Sequence, residues 1–261
     1  MIKEIDKFAD SNIIEGLTSI RAVIQAQSDA SSLNDRKILK IIYDKSRYSK
    51  IYKTVNYLRA KSYELGFEVI DSSDEEISSL CIGNSHGGII AVCSPRTIPS
   101  LEYNSPVSDN GFYVMIQGIE DPYNFGYALR SLYSCGATGI ILPQRNWMTA
   151  AGVVCRASAG ASELFDIYTS DALDAVKFFK QKGYKIVCAD LDTDKDLNTT
   201  ELKFPIFLVV GGEKRGISRA LLDHSDTVVK IPYARSFDAS LSAASATTIL
   251  GYEIMKQNLQ K

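Results

Sequence analysis

The chain has 261 residues, 45% hydrophobic and 23% charged, with a formal net charge of −2. That length suits one large core or two smaller domains, and the composition excludes a disordered or fibrous chain. No apolar run approaches the ~20 residues that a membrane-crossing helix needs. The opening MIKEIDKFADSN mixes acids with bases and lacks the apolar centre of a secretory signal, so a cytoplasmic location is expected. The net charge rules out a uniformly basic surface but not a local basic patch.

In chain order, residues 12–33 carry apolar positions near helical spacing and predict a helix. A strand follows over 37–44, a helix over 50–65 with Ile51, Val55 and Leu58 on one face, and a strand over 67–71. EEISSLC predicts a short helix and 87–93 another strand, which together suggest a small α/β domain. Residues 94–111 hold three prolines and many small polar residues, the best linker in the chain. The pattern then restarts. Strands are expected over 112–119, at GIILP, and over 184–190, 204–212 and 227–233. Helices are expected over 124–136, 172–183 and 240–257. Apolar strands alternating with helices predict a mostly parallel sheet covered on both faces, with ligands bound beyond the strands' carboxyl ends.

The five cysteines, Cys81, Cys93, Cys135, Cys155 and Cys188, are widely spaced, and no two form C-x-x-C. They are expected to be buried thiols in a reducing compartment. With His86 and His224 the only histidines, no metal site is expected.

Four segments could carry chemistry. In GIEDPYNFGYALRSLYSCGA (118–137) an acid, a proline, Asn124 and a glycine follow a strand and open a helix. Asn124 is expected in the loop and Arg130 in the first helical turns. A purely structural role is equally open: Asp121 or Asn124 as a cap, Pro122 starting a turn, and Arg130 solvated. In LVVGGEKRG (208–216) glycines at a strand end allow backbone to approach a ligand, with Glu213 just beyond. The segment is neither G-x-G-x-x-G nor a P-loop, so nucleotide hydrolysis and dinucleotide redox chemistry are poorly supported. In KIPYARSFDASLSAASATTIL (230–250), Ser240, Ser242, Ser245, Thr247 and Thr248 crowd the start of a helix. Finally, residues 36–61 carry nine Lys or Arg against one acid, with Tyr43, Tyr48, Tyr52 and Tyr57 interleaved. Such a stretch suits phosphate contact plus base stacking, with a solvated helix face as the alternative.

Together these motifs resemble the SpoU/TrmH branch of the SPOUT RNA methyltransferases. The first motif is Asn124, Gly126, Arg130, Gly136 and Ala137, and the second is Gly211, Glu213 and Gly216. The third is Ile231, Pro232, Ser240 and Leu241, and the RASAGA segment (156–161) also fits the family. NIIEGLTSI and SHGGIIAV make the N-terminal region similar to the L30e-like domain that many members carry. The resemblance implies an α/β chain with an L30e-like RNA-binding domain (1–98), a linker (99–110) and a methyltransferase domain (111–261). It also implies a parallel sheet with a deep trefoil knot in the catalytic domain, and a homodimer with the active site at its interface.

The implied cofactor is S-adenosyl-L-methionine, at Gly211, Ile231 and Leu241. The implied reaction moves its methyl group to a ribose 2'-hydroxyl of structured RNA, ribosomal RNA ahead of transfer RNA. Arg130, Asn124, Glu213 and Ser240 carry the catalytic roles. Arg36, Lys45, Arg47, Lys50 and Lys53 are the expected RNA contacts. One position departs from the family pattern: Ser242 stands where Asn is usual, and Ser lacks an amide's paired donor and acceptor. An arginine acts as a base only in a strongly altered environment, so electrostatic activation of the hydroxyl is the more defensible role for Arg130. Two other functions compete. A non-catalytic RNA-binding protein on the same fold gains weight from Ser242. A metabolic α/β enzyme leaves the basic, tyrosine-rich stretch without a task.

Overall fold

The computed structural model describes residues 12–83, 86–119, 121–144, 147–212, 216–236 and 238–259. The chain divides into two compact units. One comprises the residues up to Thr97 together with Trp147–Leu164, and the other Ile98–Asn146 with Phe165–Lys261.

In the first unit, β1 (Ile13–Glu15) leads through Gly16 into α1 (Leu17–Ser28). The helix expected over 12–33 is therefore shorter and begins with a strand. Ile13 and Ile14 pair with β4 (Ile89–Cys93), and Gly16 turns the chain at φ +80, a conformation that favours glycine. Next come β2 (Ile38–Asp44), α2 (Tyr48–Leu65), β3 (Glu68–Ser72) and α3 (Asp74–Leu80). The sheet order is β1-β4-β2-β3, antiparallel except for the parallel β2/β3 pair. Ile14, Ile20, Val23, Ile41, Val55, Leu58 and Phe67 form its core.

Residues 147–164 supply α5 (Ala151–Ala157) to this unit. α5 is apolar on nearly every side and almost wholly buried, so it has no amphipathic period for a sequence reading to find. Two ion pairs tie the segment in. Arg156 Nη1 lies 2.8 Å from Glu15 Oε2, and Arg36 Nε lies 3.0 Å from Glu163 Oε2. Asn34 Nδ2 also donates to Glu163, and Arg36 Nη1 donates to the Ser94 carbonyl. Arg36 is thus corrected as an RNA contact. Its side chain is 2% exposed and committed to a carboxylate that is itself fully buried.

The second unit holds β5 (Phe112–Ile116), α4 (Pro122–Ser134), β6 (Gly139–Leu142) and β7 (Asp166–Thr169). After these come α6 (Ala172–Gln181), β8 (Lys185–Ala189), β9 (Ile206–Val210), α7 (Arg219–His224), β10 (Thr227–Val229) and α8 (Ala243–Asn258). All six strands are parallel, in the order β10-β8-β9-β5-β6-β7. β5 and β9 are buried along their whole length, which is why both read as unbroken apolar runs. The order reverses between β5 and β9, the place where an open parallel sheet presents ligands. α8 lies close to α4: a methyl group at Gly251 would sit 3.3 Å from Leu132 Cδ2.

Candidate active site

At the carboxyl end of β5 the chain turns through Gly118 (φ +61) into α4. Asp121 is the N-cap, its carboxylate accepting from the Asn124 amide at 2.8 Å, and Pro122 occupies the first turn, where a missing N–H costs nothing. Asn124 is consequently in the helix, half-buried in its first turn, and not in the loop. Arg130 lies two turns further on and is exposed.

Beyond β9 the backbone makes its closest approaches. A Cβ on Gly211 would stand 2.9 Å from the Gly216 carbonyl carbon, and one on Gly212 would stand 2.7 Å from the Gln117 carbonyl oxygen. Gly212 and Gly216 pair as an antiparallel bridge, the Gly216 amide donating to the Gly212 carbonyl at 3.2 Å. Side chains at Gly211 and Gly212 would force the Gly216 and Gln117 backbone away. Glu213 lies outside the described residues.

Beyond β10, Lys230 is held on both sides, its amide donating to the Lys195 carbonyl and its carbonyl accepting from Leu197. The loop from Ile231 then reaches α8. The Leu241 amide donates to the Tyr233 hydroxyl at 3.1 Å, fastening the two ends of that loop. Ser242 is the N-cap of α8, its hydroxyl accepting from the Ser245 amide at 3.2 Å. Ser and Asn are about equally good in this position, so the departure from the family pattern preserves the helix start.

The ends of β8, β9 and β10 enclose a cavity of about 260 Å³. Gly211 and Gly212 form one side, Ile231, Leu241, Ala246 and Leu250 an apolar wall, and Asp190, Lys230 and Ser240 bring polar groups to it. Asp190 is oriented by the Asp192 amide, which donates to its carboxylate at 3.0 Å. Four expected site residues therefore converge here: Gly211, Ile231, Ser240 and Leu241. Arg130 does not line this cavity. It lies on a shallow groove between α4 and α8 with Ser131, Cys135, Thr248, Ile249 and Tyr252. Asp190, Lys230 and Tyr233 escaped the sequence reading, although Asp190 ends an expected strand, where an α/β sheet places its ligands.

The cavity fits S-adenosylmethionine. Its glycine side is closely packed backbone that leaves no room for a Cβ at Gly211 or Gly212, its apolar wall suits a purine, and its Asp and Lys offer partners for an amino acid's charges. No cluster of potential metal ligands occurs among the described residues.

In the first unit, Lys45, Arg47, Lys50 and Lys53 are exposed on the turn before α2 and on its first turns. Arg47 Nε lies 3.2 Å from Asp44 Oδ2, which also accepts from the Ser46 hydroxyl. The cysteines are free, four buried and Cys81 partly so. Burial pushes the Cys188 thiol up to about 11, and those of Cys81 and Cys93 up to about 12, so none is a nucleophile at neutral pH. No helix among the described residues is long and apolar enough to cross a membrane.

Residues 111–252 match the model of the SpoU rRNA Methylase family. The chain is 28% identical over 180 residues to a putative TrmH family tRNA/rRNA methyltransferase of Staphylococcus haemolyticus, covering 67% of this chain and 72% of that protein. It is also 28% identical over 203 residues to the 23S rRNA (guanosine-2'-O-)-methyltransferase RlmB of Shewanella oneidensis, covering 76% and 81%. Among solved structures, an RNA 2'-O ribose methyltransferase superposes with a TM-score of 0.75 at 20% identity, covering 98% of this chain and 95% of its own. A putative TrmH-family RNA methyltransferase of Porphyromonas gingivalis gives 0.74 at 20%, covering 99% of both. At that identity the superpositions speak for the fold, an α/β SPOUT-type architecture with a parallel C-terminal sheet. The chain belongs to the SpoU rRNA methylase family, and its activity is the S-adenosylmethionine-dependent 2'-O-methylation of RNA ribose.

Proposed function

We propose that the substrate is a structured ribosomal RNA, methylated by a cytoplasmic homodimer. The observation that carries the reading is the glycine-sided cavity beyond β8, β9 and β10, where Gly211, Ile231, Ser240 and Leu241 meet. S-adenosylmethionine bound there supplies a methyl group activated by its sulfonium. The remaining tasks fall to the chain's own residues. The Gly211 turn and Leu241 fix the donor in line for attack, which supplies much of the rate. The Arg130 guanidinium stabilises the developing alkoxide and contacts an adjacent phosphate, while Asn124, Glu213 and Ser240 orient it and the substrate.

Arg130 lies on the α4/α8 groove and not at the cavity, and Ile249 and Tyr252 are exposed beside it. An apolar face carrying a reactive cation suits a second copy of the chain, so that each cavity is completed by the partner's Arg130. Free thiols support a reducing compartment. The catalytic domain, residues 111–261, carries the trefoil knot. Residues 1–98 form the L30e-like RNA-binding domain, with 99–110 as linker, and Lys45, Arg47, Lys50 and Lys53 meet phosphates. Ribosomal RNA is preferred because the matched family is named for it and a relative acts on 23S rRNA. Transfer RNA is the alternative, since other relatives are named for both. Mapping 2'-O-methyl positions in RNA from cells with and without the protein decides: a site lost from ribosomal RNA supports the proposal, and one lost only from transfer RNA overturns it.

A further inference from the structure

The basic stretch that opens α2 presents aromatic rings as well as charge. Tyr48, Tyr52, Arg59 and Tyr63 fall within about 60° of one another around the helix, given 100° per residue. Tyr48 is 39% exposed, Tyr52 46% and Tyr63 91%. The helix does not need these rings for its core, because Val55 and Leu58 are its buried residues. Two features fix the start of the stripe. The Tyr48 ring rests on that of Tyr43 with centroids 5.9 Å apart, and Arg59 Nη2 donates to the Tyr43 hydroxyl at 3.3 Å.

The exposed charge on this turn and helix is mostly positive, with Asp44 buried beside Arg47 and Glu75 of α3 near Lys45. Lys45, Arg47, Lys50 and Lys53 are exposed on the turn before the helix and on its first turns, Lys53 about 100° around the helix from Tyr52 and Lys50 on the far side. The single acid within α2, Glu64, is paired with Lys61. In a chain whose net charge is −2, this concentration of cations selects a polyanion for this face. Exposed rings among cations are the combination that binds single-stranded nucleic acid: cations track the backbone and rings take base faces. A duplex does not satisfy both, because its base faces are stacked away and its grooves offer hydroxyls and phosphates. Tyr48 and Tyr52 are one turn apart, about 6 Å along the axis. That exceeds the ~3.4 Å rise of stacked bases, so the fitting strand is an unstacked one.

We propose that Tyr48 and Tyr52 form a stacking platform for unpaired nucleotides of the RNA substrate, with Lys45 and Lys53 on the flanking phosphates. The proposal rests on the chain's reading as an RNA methyltransferase and narrows its substrate to RNA that offers a single-stranded run. The test uses the full chain and two labelled probes, a 12-nucleotide oligouridine and a 12-base-pair RNA duplex, with affinity read by fluorescence anisotropy at fixed salt. Tyr52→Ala, and Tyr48→Ala with Tyr52→Ala, should weaken oligouridine binding roughly tenfold or more and leave duplex binding within twofold. Tyr48→Phe with Tyr52→Phe should bind oligouridine within twofold of wild type. Tyr52→Ala does not touch the Tyr43 contact, so it stays informative if the double variant folds poorly. Unchanged oligouridine binding by Tyr52→Ala, equal losses on both probes, or a Phe variant as weak as the Ala variant would each overturn the platform. Methyl transfer by wild type, measured alongside, separates the two readings. An active wild type with an unaffected Tyr52→Ala strikes only the platform, whereas a wild type that binds neither cofactor nor RNA overturns both.

Discussion

Replacing Arg36 with Met separates a structural arginine from an RNA-binding one. Arg36 Nε lies 3.0 Å from Glu163 Oε2, with both side chains at most 2% exposed. Glu163 Oε1 has no hydrogen-bond partner among the described residues, where the carboxylate depends on Arg36 and on Asn34. Removing one member of such a pair strands a buried charge, at a cost of about 3–5 kcal/mol. For a domain of about a hundred residues that lowers the melting temperature by roughly 12–40 °C. Arg36→Met combined with Glu163→Leu should recover much of this, because an apolar replacement of the whole pair is often close to neutral. Calorimetry of the three proteins provides the stability measurement. RNA affinity against salt provides the second, since an arginine on a phosphate contributes about 0.9 to the logarithmic slope. Arg36→Met should leave that slope unchanged. A melting temperature within 2 °C of wild type, with a slope reduced by one contact, would refute the structural assignment.

Other outcomes follow from the same geometry. Gly211→Ala puts a Cβ 2.9 Å from Gly216 backbone, so cofactor affinity by calorimetry should fall about tenfold or more while far-ultraviolet circular dichroism stays native. Ser242→Asn should keep wild-type stability, whereas Ser242→Ala should lose about 1 kcal/mol in urea denaturation as the α8 cap is removed. Replacing Lys45, Arg47, Lys50 and Lys53 with Ala should weaken RNA binding and flatten its salt dependence by roughly 0.7 per lost phosphate contact on a single strand, with cofactor affinity unchanged.

The parallel sheet was legible because β5, β9 and their neighbours are buried on both faces and leave continuous apolar runs. β7 was missed: DIYT is four residues at a sheet edge, too short for a pattern. α5 was missed because its small, almost wholly buried residues show no polar face. Its place in the first unit depends on Glu15–Arg156 and Arg36–Glu163, pairings across more than a hundred residues that no local spacing reveals. The same long-range pairing misled the reading of Arg36, which sits in a basic run but points inward. At the site, the glycine motif located the cavity. Asp190, Lys230 and Tyr233 became visible only when β8 and β10 were seen to flank that cavity with β9. The family resemblance also grouped Arg130 with Ser240, whereas the fold puts them on different surfaces of the same unit.

That separation makes Arg130 the most direct test of the account. The measurement is single-turnover transfer of labelled methyl to structured RNA, with enzyme and S-adenosylmethionine saturating, for wild type and Arg130→Ala. Wild type should label a ribose 2'-oxygen, and Arg130→Ala should be slower by roughly two orders of magnitude, with cofactor affinity unchanged because the proposed cofactor contacts are Gly211, Ile231 and Leu241, in a lining that does not include the same copy's Arg130. A wild type that labels no ribose, or an Arg130→Ala rate within threefold of wild type, would contradict it.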